Sequence, residues 1–353
     1  MTTKQESDSI DIQMRMIDFY ADISKMIPVL SSLNEITNEA TPHDIVLQVG
    51  KVRLLRYRSS NPKYKVPVLV VYALINRPYI LDLQNKSMIK GIVDAGFDVY
   101  LLDWGSPDIE ESTFTIDDYL KIYLDKCVDA VRRISNSEKV TLFGYCMGGT
   151  FSAIYATLYQ EKVKNLITLA PPVDCSKDTT VFGSVSKFLD ADVIVDTLGN
   201  IPPAFQYQFF IMLKPFKHFL GKYYEVSQRT TDNRYIKDFQ RIEKWLWDTA
   251  PLPGEVFRQW IKDIYQKNLF AKNRLQIGSS IINLQKIDIP LLNIVAEHDH
   301  LVTPESSLAL NNLVSSKDNT PMSFPTGHVG LCASTFAQRE VWPKIIKWLE
   351  DRS

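Results

Sequence analysis

From residue 51 onward, short runs of β-branched and apolar residues alternate with stretches that repeat every three or four positions. This rhythm restricts the fold more than anything else in the chain. Residues 51–59 read as an amphipathic strand. The runs 66–74, 97–104, 139–145 and 164–172 are almost continuously apolar, as strands buried on both faces must be. Between them, residues 87–97, 117–134 and 150–160 carry helical spacing. Alternation of this kind calls for an α/β fold, with a mostly parallel sheet and helices on both faces.

The rhythm stops at residue 175. Residues 175–283 are aromatic-rich and helical in character, interrupted by Pro202, Pro203, Pro215, Pro251 and Pro253, with no strong buried strand. They read as an inserted helical cap (lid) domain. The aromatic run Phe205, Tyr207, Phe209, Phe210 and Phe216 within it suits a cap core or the lining of a channel. The sheet resumes at 289–299, a last strand region falls at 321–328, and residues 339–353 form a closing helix. The expected organisation is therefore a core of 45–174 and 284–353, a cap of 175–283, and an N-terminal helical segment of 1–44. In that first segment Ile10, Met14, Ile17, Tyr20, Met26, Leu30 and Leu33 fall near helical spacing, suited either to packing on the core or to docking a partner.

Composition excludes several classes. With 40 basic and 41 acidic residues interspersed, the net charge of −1 gives no electrostatic reason to expect nucleic acid. The longest apolar stretch, 66–75, is about half the roughly 20 residues that a membrane span needs. The first residues are polar and acidic, unlike a secretory signal, so a cytoplasmic location is expected. The four cysteines, Cys127, Cys146, Cys175 and Cys332, form no C-x-x-C pair and fit no zinc site, so no metal is expected. His328 and Cys332 lie four residues apart but have no further ligands nearby.

One turn carries the chemistry. Gly144-Tyr145-Cys146-Met147-Gly148-Gly149 lies between a buried strand and the small-residue start of a helix. It is a G-x-C-x-G sequence, whose serine form is the nucleophile elbow of α/β-hydrolases. A reversal this sharp forces the nucleophile into a strained backbone, and Gly144 and Gly148 leave the room that a Cβ would fill. The thiol of Cys146 then stands at the carboxyl end of the sheet, just ahead of a helix N-terminus, whose dipole favours a thiolate. The amide of Met147 is one oxyanion donor. A second comes from the loop after the first buried strand, at Ile75 or, alternatively, Leu74.

An elbow needs an acid and then a base later in the chain. Asp299 lies at the carboxyl end of the strand beginning near 289, with Glu297 a near competitor in the same turn and His298 and His300 flanking it. Of the five histidines, His328 alone follows Asp299 in a late loop, Thr326-Gly327-His328-Val329-Gly330. In the roles this chemistry requires, His328 moves the Cys146 proton, and Asp299 holds the imidazole tautomer and its charge.

The residues around this trio resemble the polyhydroxyalkanoate (PHA) synthases, in particular the short two-subunit class III and class IV types. Six blocks carry the resemblance: Tyr72 to Leu83, Gly96 to Trp104, the Cys146 box, Ala296 to Val302 with Pro304, Gly327 to Gly330, and Trp245 to Asp248 with Pro253-Gly254. They extend from about residue 45 to the C-terminus. Met147 departs from the pattern, since many members carry Gln there, but a backbone donor does not depend on that side chain. The resemblance implies an α/β-hydrolase fold and catalytic Cys146, Asp299 and His328. It also implies a hydroxyacyl-coenzyme A substrate, a polyester product, no cofactor (coenzyme A being a released product), and attachment to the surface of polyester granules. An accessory subunit of the PhaE or PhaR type and a homodimer of the catalytic subunit are further expectations. The long N-terminal domain of the single-subunit classes is missing, in line with the two-subunit types.

A cysteine suits this substrate. Thiolate attack on a thioester exchanges one thioester for another, so the bound acyl group stays activated for ester formation. The competing expectation is a cysteine hydrolase of the dienelactone hydrolase kind, which has the same residue order but is shorter and lacks the cap and the Tyr72 block.

Overall fold

The computed structural model describes residues 17, 20–22, 24–37, 40–213 and 221–353. Ile10, Met14 and Phe216 lie outside the described residues.

Eight strands form one sheet: β1 (Asp44–Val49), β2 (Val52–Tyr57), β3 (Val68–Val71), β4 (Val99–Asp103), β5 (Val140–Tyr145), β6 (Val163–Leu169), β7 (Leu291–Ala296) and β8 (Asn319–Phe324). Their order is β1-β2-β4-β3-β5-β6-β7-β8. The hairpin β1–β2 and the pair β2–β4 are antiparallel, and every pair from β4 through β3 to β8 is parallel. The expected mostly parallel sheet is therefore present. Every residue of β3, β4, β5 and β7 is buried, which explains why their sequences run apolar without alternation. The added strand β1 lies on the edge, and its half-exposed DIVLQV carries no such signal. A register shift between Ile45 and Leu47 further breaks its alternation.

Helices α1 (Met88–Ala95), α2 (Asp125–Ser135), α3 (Met147–Leu158), α4 (Pro304–Leu313) and α5 (Trp342–Glu350) follow the strands. Local chemistry fixes their ends. The Ser87 hydroxyl accepts from the Lys90 amide at 2.8 Å to start α1, and Gly96 stops it in a left-handed conformation, φ 111°. Helix α3 differs from the others in being buried on nearly all sides, from Met147 to Thr157.

The chain divides into two compact units, residues 39–203 with 249–353, and residues 1–38 with 204–248. The segment 175–283, expected as one cap, spans both: 175–203 and 249–283 group with the sheet, and 204–248 groups with the N-terminal segment. Within the smaller unit, helix Asn233–Trp247 meets helix Met26–Ser31. The Gln240 amide donates to Val29 O at 2.9 Å and to Ser32 Oγ at 2.8 Å. Tyr207 packs on Trp247 in a tilted arrangement, with centroids 4.2 Å apart. Glu243 is fully buried there and takes Lys222 Nζ at 2.7 Å, the pairing that a buried carboxylate requires. Among the described residues, no helix is long and apolar enough to cross a membrane.

Candidate active site

Strand β5 delivers Cys146 at its carboxyl end, and α3 begins at the next residue. Cys146 adopts φ 55° and ψ −127°, a strained combination for a residue with a Cβ. Its amide is tied to Leu169 O at 2.8 Å, and its carbonyl accepts from the Gly149 amide at 2.8 Å, so sheet and helix both hold it in place. The glycines are sterically required. A Cβ on Gly144 would lie 2.4 Å from Gly148 O, and one on Gly148 would lie 2.1 Å from Val71 O. Gly148→Ala is expected to destabilise the protein by about 3 kcal/mol, since backbone and not a pliable side chain blocks the methyl group. Denaturant midpoints of the two proteins check this.

The same contact seats the start of α3 against the end of β3. The loop leaving β3 contains buried Leu74 and half-buried Ile75, and Met147 opens α3 with its side chain buried. The first amides of a helix have no partner within it, so Met147 N–H is available to a ligand.

Asp299 and His328 meet at the carboxyl ends of β7 and β8. The parallel pairing of these strands runs on into their loops, with Glu297 N donating to Phe324 O at 2.9 Å and His298 N donating to Thr326 O at 3.0 Å. His328 Nδ1 lies 2.6 Å from Asp299 Oδ2. Asp299 Oδ1 accepts from the amides of Leu301 at 2.8 Å and Val302 at 3.1 Å. Of the two acids in the turn, Asp299 thus holds the imidazole, while Glu297 is exposed and accepts from Ser323. The side chains of His328 and Asp299 are 3% and 1% exposed, so water screens the pair very little.

Burial opposes charge on His328, but the Asp299 carboxylate and then Cys146 overcome it and hold the imidazole well above its ordinary range. Burial also pushes Asp299 up, and His328 together with the two amides pulls it below the usual carboxylate value. The elbow thiol lies within interaction range of this imidazole. The other thiols are ordinary core groups: burial pushes Cys127 and Cys332 up to about 12 and Cys175 well above its usual value. Cys146 alone among the four is partly exposed. The structure therefore brings together a reachable thiol, a basic imidazole and an orienting carboxylate, which is the equipment for covalent acyl transfer.

Tyr145 was not singled out by sequence reasoning. Its ring packs on His328 with centroids 5.1 Å apart, and its hydroxyl donates to His328 O at 3.3 Å. A tyrosine next to the nucleophile, in a strand otherwise buried among apolar residues, was the available signal. Among the described residues, no group of three or more His, Cys, Asp or Glu side chains is arranged to hold a metal.

The model of the alpha/beta hydrolase fold family matches residues 66–331. A poly(3-hydroxyalkanoate) polymerase subunit PhaC of Allochromatium vinosum is 40% identical over 345 residues, covering 97% of each chain. Its namesake from Synechocystis sp. is 41% identical over 348 residues, covering 95% of this chain and 92% of that one. Among solved structures, a monoacylglycerol lipase of Paleococcus ferrophilus aligns over 85% of this chain and 99% of its own, with a TM-score of 0.56 and 19% identity. That likeness concerns the fold alone.

Proposed function

The chain belongs to the poly(3-hydroxyalkanoate) polymerase PhaC family within the alpha/beta hydrolase fold, and from that premise we propose that Cys146 carries the growing acyl chain as a thioester. The enzyme is an acyltransferase that joins hydroxyacyl units into polyester. The observation that carries the mechanistic reading is the 2.6 Å contact between His328 and Asp299 beside a strained, partly exposed Cys146.

The steps follow from these groups. His328 takes the Cys146 proton, and the thiolate attacks the thioester carbonyl of a hydroxyacyl-coenzyme A. Charge on the carbonyl oxygen is met by the Met147 amide and an amide of the β3 loop, Ile75 being the first choice and Leu74 the alternative. The tetrahedral intermediate expels coenzyme A, which leaves with a proton from His328. The acyl group now sits on Cys146 as a thioester of similar energy. His328 then takes the proton of the 3-hydroxyl of an incoming hydroxyacyl-coenzyme A, the alkoxide attacks, and an ester forms as the thiolate departs. The lengthened chain, now a thioester of that coenzyme A, returns to Cys146 by the same thiolate attack and releases the coenzyme A. Asp299 keeps the imidazole in the tautomer that both half-reactions need. No cofactor enters this scheme, and coenzyme A is a product.

The reading extends to partners. A short-chain substrate such as (R)-3-hydroxybutyryl-coenzyme A, an accessory subunit of the PhaE or PhaR type, a homodimer of the catalytic subunit, and residence in the cytoplasm at the surface of polyester granules belong to it as well.

The test offers the purified chain 3-hydroxybutyryl-coenzyme A, with and without a candidate accessory subunit. Release of coenzyme A with insoluble polymer is the expected result. Release with only the free hydroxy acid would assign the site to a hydrolase of the dienelactone hydrolase kind instead.

A further inference from the structure

Behind the acid loop lies a second carboxyl group that the scheme above does not use. Asp178 follows the short turn Cys175–Lys177 at the exit of β6. It is 0% exposed. Its Oδ1 accepts from the Thr180 amide at 3.0 Å. Its Oδ2 is buried and has no hydrogen-bond partner among the described residues. The carboxyl presses on Gly183, where a Cβ would lie 2.6 Å from Asp178 Cγ, so the position has no slack. The segment is also tied to the acid loop, with Thr180 Oγ1 donating to Leu301 O at 3.5 Å and Thr303 Oγ1 donating to Lys177 O at 3.0 Å.

We propose that Asp178 is a positioning residue that carries a hydrogen on Oδ2, standing beside the Asp299–His328 pair as a neutral acid. An ionised Asp178 would bury a carboxylate with one oxygen unpaired and a like charge, Asp299, close by, two penalties that add. A proton removes the charge and with it the repulsion, and leaves only the smaller cost of a neutral hydroxyl without a partner among the described residues. The groups around it point the same way. Burial pushes its carboxyl up, the Thr180 bonds and Lys187 pull down, and Asp299 adds to a net rise. The buried Tyr265 phenol and the Cys175 thiol also lie within its electrostatic reach, and both are themselves held neutral by burial. A neutral Asp178 leaves Asp299 as the nearby carboxylate charge behind the imidazole. A second carboxylate beside Asp299 would repel the charge that orients the imidazole. This bearing on rate rests on the acid–base role proposed for Asp299 and His328. The proton on Asp178 does not, and the experiment reads the proton.

Asp178→Asn places an amide N–H where the acid has O–H, in nearly the same volume. Infrared difference spectra of the whole chain from pH 4 to 7, wild type minus variant, are expected to show the C=O stretch of a protonated carboxylic acid at pH values where a free aspartate is already ionised. Thermal unfolding supplies a second reading. A raised folded pKa means that the folded state keeps a proton which the unfolded chain gives up near its ordinary 3.8, so wild type loses stability as pH rises from there. The Tm of the variant relative to wild type is therefore expected to increase between pH 4 and 7. A spectrum without the acid band, with a Tm difference that is flat or falls over this range, would overturn the proposal. If the variant does not fold, the band is read in aspartate-labelled Asp82→Asn, which removes another buried aspartic acid pushed upward. An acid band remaining there supports Asp178, and its absence counts against it.

Discussion

Replacing Cys146 with alanine is expected to cut coenzyme A release from 3-hydroxybutyryl-coenzyme A by about 10⁴-fold or more, the scale of loss when a triad nucleophile is removed. The fold should survive. Cys146 is partly exposed, so removing its sulfur opens no deep cavity, and alanine adds nothing to the strain already present at φ 55°. The glycines that make the turn possible are untouched. A steady-state assay of free thiol, with circular dichroism to verify folding, measures this. A variant keeping a tenth of the wild-type rate would mean that another group carries the acyl chain. Cys127, Cys175 and Cys332 are poor substitutes, since all three are buried and their thiols are held protonated.

The second large effect concerns the orienting acid. Asp299→Asn is expected to lower the rate by roughly 10⁴-fold, the loss seen when a triad aspartate becomes an amide and the imidazole settles in the wrong tautomer. The amides of Leu301 and Val302 can still bond to an asparagine Oδ1, so the loop should keep its shape. The substitution also has a pH signature in stability. Asp299 is depressed in the folded state, so its contribution is present above its ordinary 3.8 and is lost as pH falls through the folded value. His328 is raised, so its contribution is full below its ordinary 6.5 and declines as pH rises toward the folded value. The stability advantage of wild type over Asp299→Asn is therefore expected to peak between about pH 4 and 6.5 and to shrink on either side. Thermal unfolding across pH 3 to 9 checks it. An advantage that grows steadily above pH 6.5 would contradict the ion pair.

The central strands were legible because burial on both faces leaves a continuous apolar run, as in Val68–Val71 and Leu291–Ala296. The edge strand Asp44–Val49 was not, because it is half exposed and its register shifts. Cys146 could be read from its turn because the steric demand is local: Gly144 and Gly148 stand within two residues of it. His328 and Asp299 could be read from chain order, since each follows a strand whose carboxyl end faces the site. Asp178 gave no such signal. It lies near Asp299 only because the chain after β6 folds back over the acid loop, a contact that no local pattern encodes. The division of residues 175–283 between two units was equally hidden, since its helices share one aromatic, proline-broken character.

The most direct test of the account is the intact mass of the enzyme, quenched during turnover of 3-hydroxybutyryl-coenzyme A and then digested. The predicted result is a ladder of added hydroxybutyryl units on the peptide holding Cys146, labile to hydroxylamine and absent from Cys146→Ala. Hydroxybutyryl units on any other residue, or polymer formed with no adduct on Cys146, would contradict it.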